Sequence, residues 1–158
     1  MENGQIYEIL LRTQYTSYQS MLELLTRVER LDEALAAISA QNRPDVNKIG
    51  TITARKENLI QRLDALSLHA KQAHRELESM SGLQEEIRMH PLYPRMEELK
   101  LAAYQRVSAV IEKEDRNNPD IIKHLEDYKE ALTLDIKIKD IPLSKRQLVV
   151  VIPDRRKP

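Results

Sequence analysis

Apolar side chains at Leu59, Leu63, Leu66, Ala70, Ala73, Leu77 and Met80 recur at steps alternating between four and three, the spacing that keeps one stripe of a helix turned toward a neighbouring helix. A second stripe runs through Leu11, Tyr15, Tyr18, Leu22 and Leu25 and then Val28, Leu31, Leu35 and Ile38, with one short step near residue 25 that rotates the seam slightly. Two long helices therefore want to pair. The first is expected over residues 5–40, roughly 54 Å at the usual rise per residue. The break falls at AQNRPDV, where Pro44 cannot continue a helix but suits the start of the next. Gly50 lies early in the second segment, so the start of regular helix is left open between Pro44 and Thr51.

The hairpin, residues 5–81, is expected to end at SMSG. There Ser81 followed by Gln84 reads as a capping box for a short turn, SGLQEEI. Pro91 and Pro94 in HPLYPR are expected to force residues 90–94 out of regular helix. A third helix, 95–116, carries Met96, Leu99, Ala103, Val107 and Val110 on one face. Asn118 as cap, Pro119 at the first helical position and Asp120 near the positive dipole end launch a fourth, 119–134, with Ile121, Leu125, Tyr128 and Leu132 on its face. Beyond it the period changes to alternation: Ile136 and Ile138 flank Lys137, and LVVVI sits between Pro142 and Pro153. The fold class expected is thus all-α, a long antiparallel helical hairpin with two further shorter helices. They form one bundle or coiled-coil domain over residues 1–134, followed by a short strand-like or disordered, extended basic tail over 135–158.

Composition agrees with helix. Only three Gly stand among 158 residues, too few for the tight turns of a β-sandwich or barrel, and Trp, Phe and Cys are absent. Basic and acidic side chains number 25 each, so no global field draws the chain to nucleic acid or an anionic membrane. The tail is basic and the helical part correspondingly acidic. No run approaches the length of a membrane span, so membrane insertion is not expected, and the start MENGQIYEIL does not read as a secretory signal. Lack of cysteine fits a reducing cytoplasm.

The search for reaction chemistry returns negatives. His69 and His74 lie about 140° apart around a helix and cannot share a metal. None of the four histidines has a Glu three residues before it, and three scattered glycines cannot build a phosphate loop or a nucleophile elbow. Neither an enzyme nor a cofactor or metal site is expected. Pairs such as Glu85 and Glu86 read as solvated helix faces.

Two residues carry open alternatives. Lys56 falls on the second stripe when it is extended backward from Leu59. Either its stem packs and its ammonium reaches solvent, or it is a polar seam residue that sets register, in which case Lys56→Leu should raise thermal stability. Tyr128 sits on a short terminal helix that either closes onto the bundle or leaves an apolar groove for an incoming amphipathic helix.

The long first helix, the linker DVNKIG and then ITARKENLIQRLDAL, with its Lys, Leu, Leu opening of the second hairpin helix, resemble the flagellar export chaperones of the FlgN and FliT type. IEKEDRNNPDIIKHLEDYKEAL adds to the resemblance, with Asn117 and Asn118 before the last helix. It covers residues 5–134; HPLYPR and the alternating tail depart from it. The resemblance implies a cytoplasmic chaperone that holds a flagellar hook-associated or cap subunit before type III export, prevents premature assembly and delivers it to the export apparatus. The client groove is expected at Leu99, Val107 and Val110 of the third helix and Leu125, Tyr128 and Leu132 of the fourth. Rival readings are a structural coiled-coil or bundle protein that forms a homo-oligomer through its hairpin, a regulator or nucleic-acid binder using SKRQ and DRRKP, and an enzyme.

Overall fold

The computed structural model describes residues 3–114 and 119–135, with side chains for 5–114 and 119–132. They form five helices: α1 (Asn3–Ser39), α2 (Val46–Glu78), α3 (Gln84–Met89), α4 (Leu92–Lys113) and α5 (Pro119–Asp135). No strand occurs among them. The expected cap at Asn118 and the strand-like tail lie outside the described residues.

Each boundary has a local cause. Asp45 is the N-cap of α2, its carboxylate accepting from the Lys48 backbone N–H at 3.2 Å. The cap holds the helix open from Val46 straight through Gly50, which closes the boundary left open above. The expected capping box at Ser81 does not form. Gly82 adopts φ +86°, a left-handed turn that glycine takes without steric cost, and the N-cap of α3 is Leu83 with no side-chain bond. Gln84 instead reaches back to the end of α2, donating to the carbonyls of Leu77 (2.8 Å) and Met80 (3.0 Å). The amide joins carbonyls that also accept the Met80 and Leu83 backbone N–H groups, so Gln84 ties the start of α3 to the end of α2 across the turn instead of capping back to Ser81.

The prolines also act differently from expectation. Pro91 is the N-cap of α4, while Leu92, Tyr93 and Pro94 are already helical. A proline in the first turn loses nothing, because its missing N–H has no intrahelical acceptor there. His90 completes the start: its Nδ1 accepts from the Leu92 N–H and its carbonyl from the Tyr93 N–H, both at 3.0 Å. The third expected helix therefore starts earlier than 95, and it ends at Lys113, where Glu114 turns to an extended ψ of 142°.

Four helices close a ring in which α1 packs on α2 and α4, and α5 packs on α4 and α2. The T-shaped contact of Tyr7 with His90 joins α1 and α4 near their N-terminal ends, and Asp32 and Glu114 come together near their C-terminal ends, so these two helices run parallel. Serving two neighbours, α1 buries a wide face: Leu11, Gln14, Ser17, Tyr18, Met21, Leu24, Leu25 and Val28. Tyr15 and Leu22 of the expected stripe are half-buried at its flank. On α2 the four-three stripe is enclosed at Leu59, Leu63, Ala70, Ala73 and Leu77, with Leu66 and Met80 packed against the core from its edge. Burying each large side chain is worth about 1.5–3 kcal/mol, so these stripes hold the ring together. Among the described residues no helix is long and apolar enough to cross a membrane.

Candidate functional site

The last helix docks on the bundle. α5 buries Ile121, Leu125, Tyr128 and Leu132, one side chain per turn, while Lys123, His124, Glu126, Asp127 and Glu130 stay exposed. The Tyr128 hydroxyl donates to Met21 Sδ at 2.7 Å, across the ring from α5 to α1, and burial pushes its ionisation far above the ordinary range. At the rim His124 Nδ1 lies 3.3 Å from Asp64 Oδ2, and the Lys129 ammonium sits 5.8 Å from the Tyr104 ring centre. Of the two alternatives for Tyr128, closure onto the bundle is the one observed, and no open groove runs along the expected client residues. Val107, Val110, Leu125, Tyr128 and Leu132 are core residues and Leu99 is half-buried, because α4 and α5 remove more apolar surface from water by closing on each other than by standing apart.

At the top of the ring, three helices contribute one charged side chain each to a buried cluster. Lys56 of α2 pairs with Asp32 of α1, Nζ to Oδ1 2.6 Å, and with Glu114 at the end of α4. The three side chains are 2%, 8% and 0% exposed. The snorkelling alternative for Lys56 is thereby overturned: its ammonium is enclosed, and its partners come from two other helices. Asp32 Oδ2 and Glu114 Oε2 have no hydrogen-bond partner. Desolvation raises Glu114 from an ordinary 4.5 to about 7, the pull of Lys56 being opposed by a second carboxylate, Asp32, at its side. Burial works to lower Lys56, but the two carboxylates outweigh it and hold the ammonium above its ordinary value.

Asp32 and Glu114 were not singled out from the sequence, yet the signal was present. A step of four from Val28 lands on Asp32, and a step of four from Val110 lands on Glu114. Each apolar stripe thus ends on a charge at the same level of the bundle. Further down, Gln14 is fully buried with neither amide atom hydrogen-bonded, and buried Lys100 lies 3.2 Å from Glu97. Glu29 of α1 ties the ring from outside, 3.3 Å from Lys113 and 3.5 Å from Arg106 of α4; the Lys113 hydrogen bond is the main cause that holds its carboxyl below the usual range.

Surface clefts lie between pairs of helices. One of about 490 Å³ lies between α1 and α4, floored by Leu22, Ala102 and Ala109. Another, about 380 Å³, lies between α1 and α2. Among the described residues no three His, Asp or Glu converge as metal ligands. Comparison of the chain with family models, curated proteins and solved structures gave no match.

Proposed function

We propose that the protein is a cytoplasmic holding chaperone whose ligand is an amphipathic helix of a protein client, and that α5 occupies the client's seat when no client is bound. The observation that carries this reading is the way α5 docks. A helix of Pro119–Asp135 presents a four-residue apolar stripe to α4 and α2, and its removal would leave an apolar groove of the size a client helix needs. The client class follows from the sequence resemblance: a flagellar hook-associated or cap subunit held before type III export, with the export apparatus as second partner.

Because Leu125 and Tyr128 are core residues, Leu125→Asp and Tyr128→Asp expel α5 rather than remove an exposed contact. Co-expression with candidate subunits should yield one-to-one complexes, and these variants should bind more tightly by freeing the seat. Conversely, the chain has no cysteine, so Asp64→Cys with His124→Cys, bridged by a short bis-maleimide, fastens α5 down at an exposed pair. Client binding should then be lost. Undiminished capture by the bridged protein would remove the seat from consideration.

A structural hairpin protein is the second reading, favoured by the tip of the hairpin. Beyond the ion cluster α1 and α2 continue without α4 or α5, leaving Leu35, Ile38, Ile49 and Ile52 half-buried. Concentration-dependent mass in sedimentation, abolished by Leu35→Glu, would support it.

A further inference from the structure

The cleft between α1 and α2 is lined by Arg27, Arg30 and Leu31 from one helix and Arg55, Asn58 and Leu59 from the other. No residue of α4 or α5 borders it, so it stands apart from the seat described above. Its floor is apolar, Leu59 buried and Leu31 half-buried, while all three guanidinium side chains are exposed around it. Elsewhere in the bundle arginines find carboxylates, as Arg12 of α1 does with Glu8 and Arg106 of α4 with Glu29. Among the described residues Arg27, Arg30 and Arg55 have none. In a chain with equal numbers of basic and acidic side chains, three guanidiniums gathered on one apolar trough, with no ion-pair partner among the described residues, form a local positive field.

We propose that this trough is a docking surface for an acidic amphipathic helix of a protein partner. The helix would lie lengthwise between α1 and α2, set an apolar side chain on Leu31 and Leu59, and place Asp or Glu on both flanks, one toward Arg27 and Arg30 and the other toward Arg55. The shape favours a helix over an acyl chain, since the trough is open along its length and an acyl chain needs enclosure on all sides. Charge excludes a second copy related by a twofold axis through the trough, because that pairing sets guanidinium against guanidinium.

The probe is a fluorescein-labelled peptide of about 20 residues, ~30 Å as a helix, with leucines at steps of three and four and glutamates on both flanks. Anisotropy titration should show saturable binding that weakens with added salt, whereas the same peptide with lysine flanks should not bind. Arg27→Gln and Arg55→Gln should each weaken the glutamate peptide, and Arg30→Glu with Arg55→Glu should weaken it by about tenfold or more and reverse the preference toward the lysine peptide. Far-UV circular dichroism confirms that each variant keeps its helices, and the neutral Gln variants carry the test if the reversed one does not fold. Equal affinity of wild type and variants for the glutamate peptide would overturn the proposal. So would arginine-dependent binding of dodecanoate, or arginine-dependent self-association, in place of peptide binding.

Discussion

The same two helices build both halves of the hairpin, yet the halves differ in what covers them. Below the Asp32, Lys56 and Glu114 cluster, α4 and α5 close the ring, and Leu25, Val28, Leu63 and Val107 are almost wholly enclosed. Above it the periodic pattern continues through Leu35, Ile38, Ile49 and Ile52, but these side chains are only half-buried and Val46 is 77% exposed. Periodicity therefore marks which face of a helix is apolar; the number of helices that meet that face sets how much free energy it returns. The ion cluster stands at the boundary, where α4 ends and a two-helix arm begins.

The sharpest way to test this boundary is to break the cluster. The structure reverses the stability gain that a register-setting lysine implied: Lys56→Leu leaves Asp32 and Glu114 side by side and buried without their cation. It should cost about 3–5 kcal/mol, read as a lower urea midpoint. Replacing all three charges together with Leu or Met should restore stability to within about 2 kcal/mol of wild type or exceed it, since no charge is then stranded. Next, Leu63→Ala in the ring should cost about 2–5 kcal/mol and Ile52→Ala in the arm about 1 kcal/mol or less. Equal losses would erase the contrast between the halves.

A pH titration sharpens the boundary further. Glu114 ionises near 7 when folded and near 4.5 when unfolded, so between these values the folded protein holds a proton that the unfolded chain has released. The contribution of this one group is present in full below about pH 4.5 and is lost as pH rises through 7, by roughly 1–3 kcal/mol in all. Subtracting the profile of Glu114→Gln isolates this loss, and coincident profiles would place the titration elsewhere. The smallest effect is expected in the arm. A methyl group at Gly50 meets nothing within 4 Å, so Gly50→Ala should raise stability by about 0.5–1 kcal/mol through helix propensity alone. Its effect should appear as a higher thermal midpoint with no change in helix content.

Much of this fold was legible because its signals are local. The four-three stripe from Leu59 to Met80, the break at Pro44 and the start of the last helix at Pro119 all depend on neighbours a few residues away. Local rules misled where two ends competed for one group. Gln84 had a plausible partner in Ser81 but donates instead to the carbonyls of Leu77 and Met80, across the turn that follows α2. Pro94 reads as a breaker, yet its place in the first turn removes the penalty. The candidate client residues were correctly identified as apolar faces of two helices, but whether those faces meet a client or each other is not written in either stripe.

The sequence by itself determined the two long hairpin helices and the apolar faces of the helices, including the stripe on which Lys56 interrupts the pattern, because these follow from backbone propensity and residue spacing along one chain. Only the tertiary structure decided that Asp32 and Glu114 converge on that lysine, that α5 fills its own groove, and that three arginines remain around an open trough. Those outcomes depend on which helices stand side by side. Burial, pairing and desolvation are properties of that neighbourhood and have no counterpart in the spacing of a single helix.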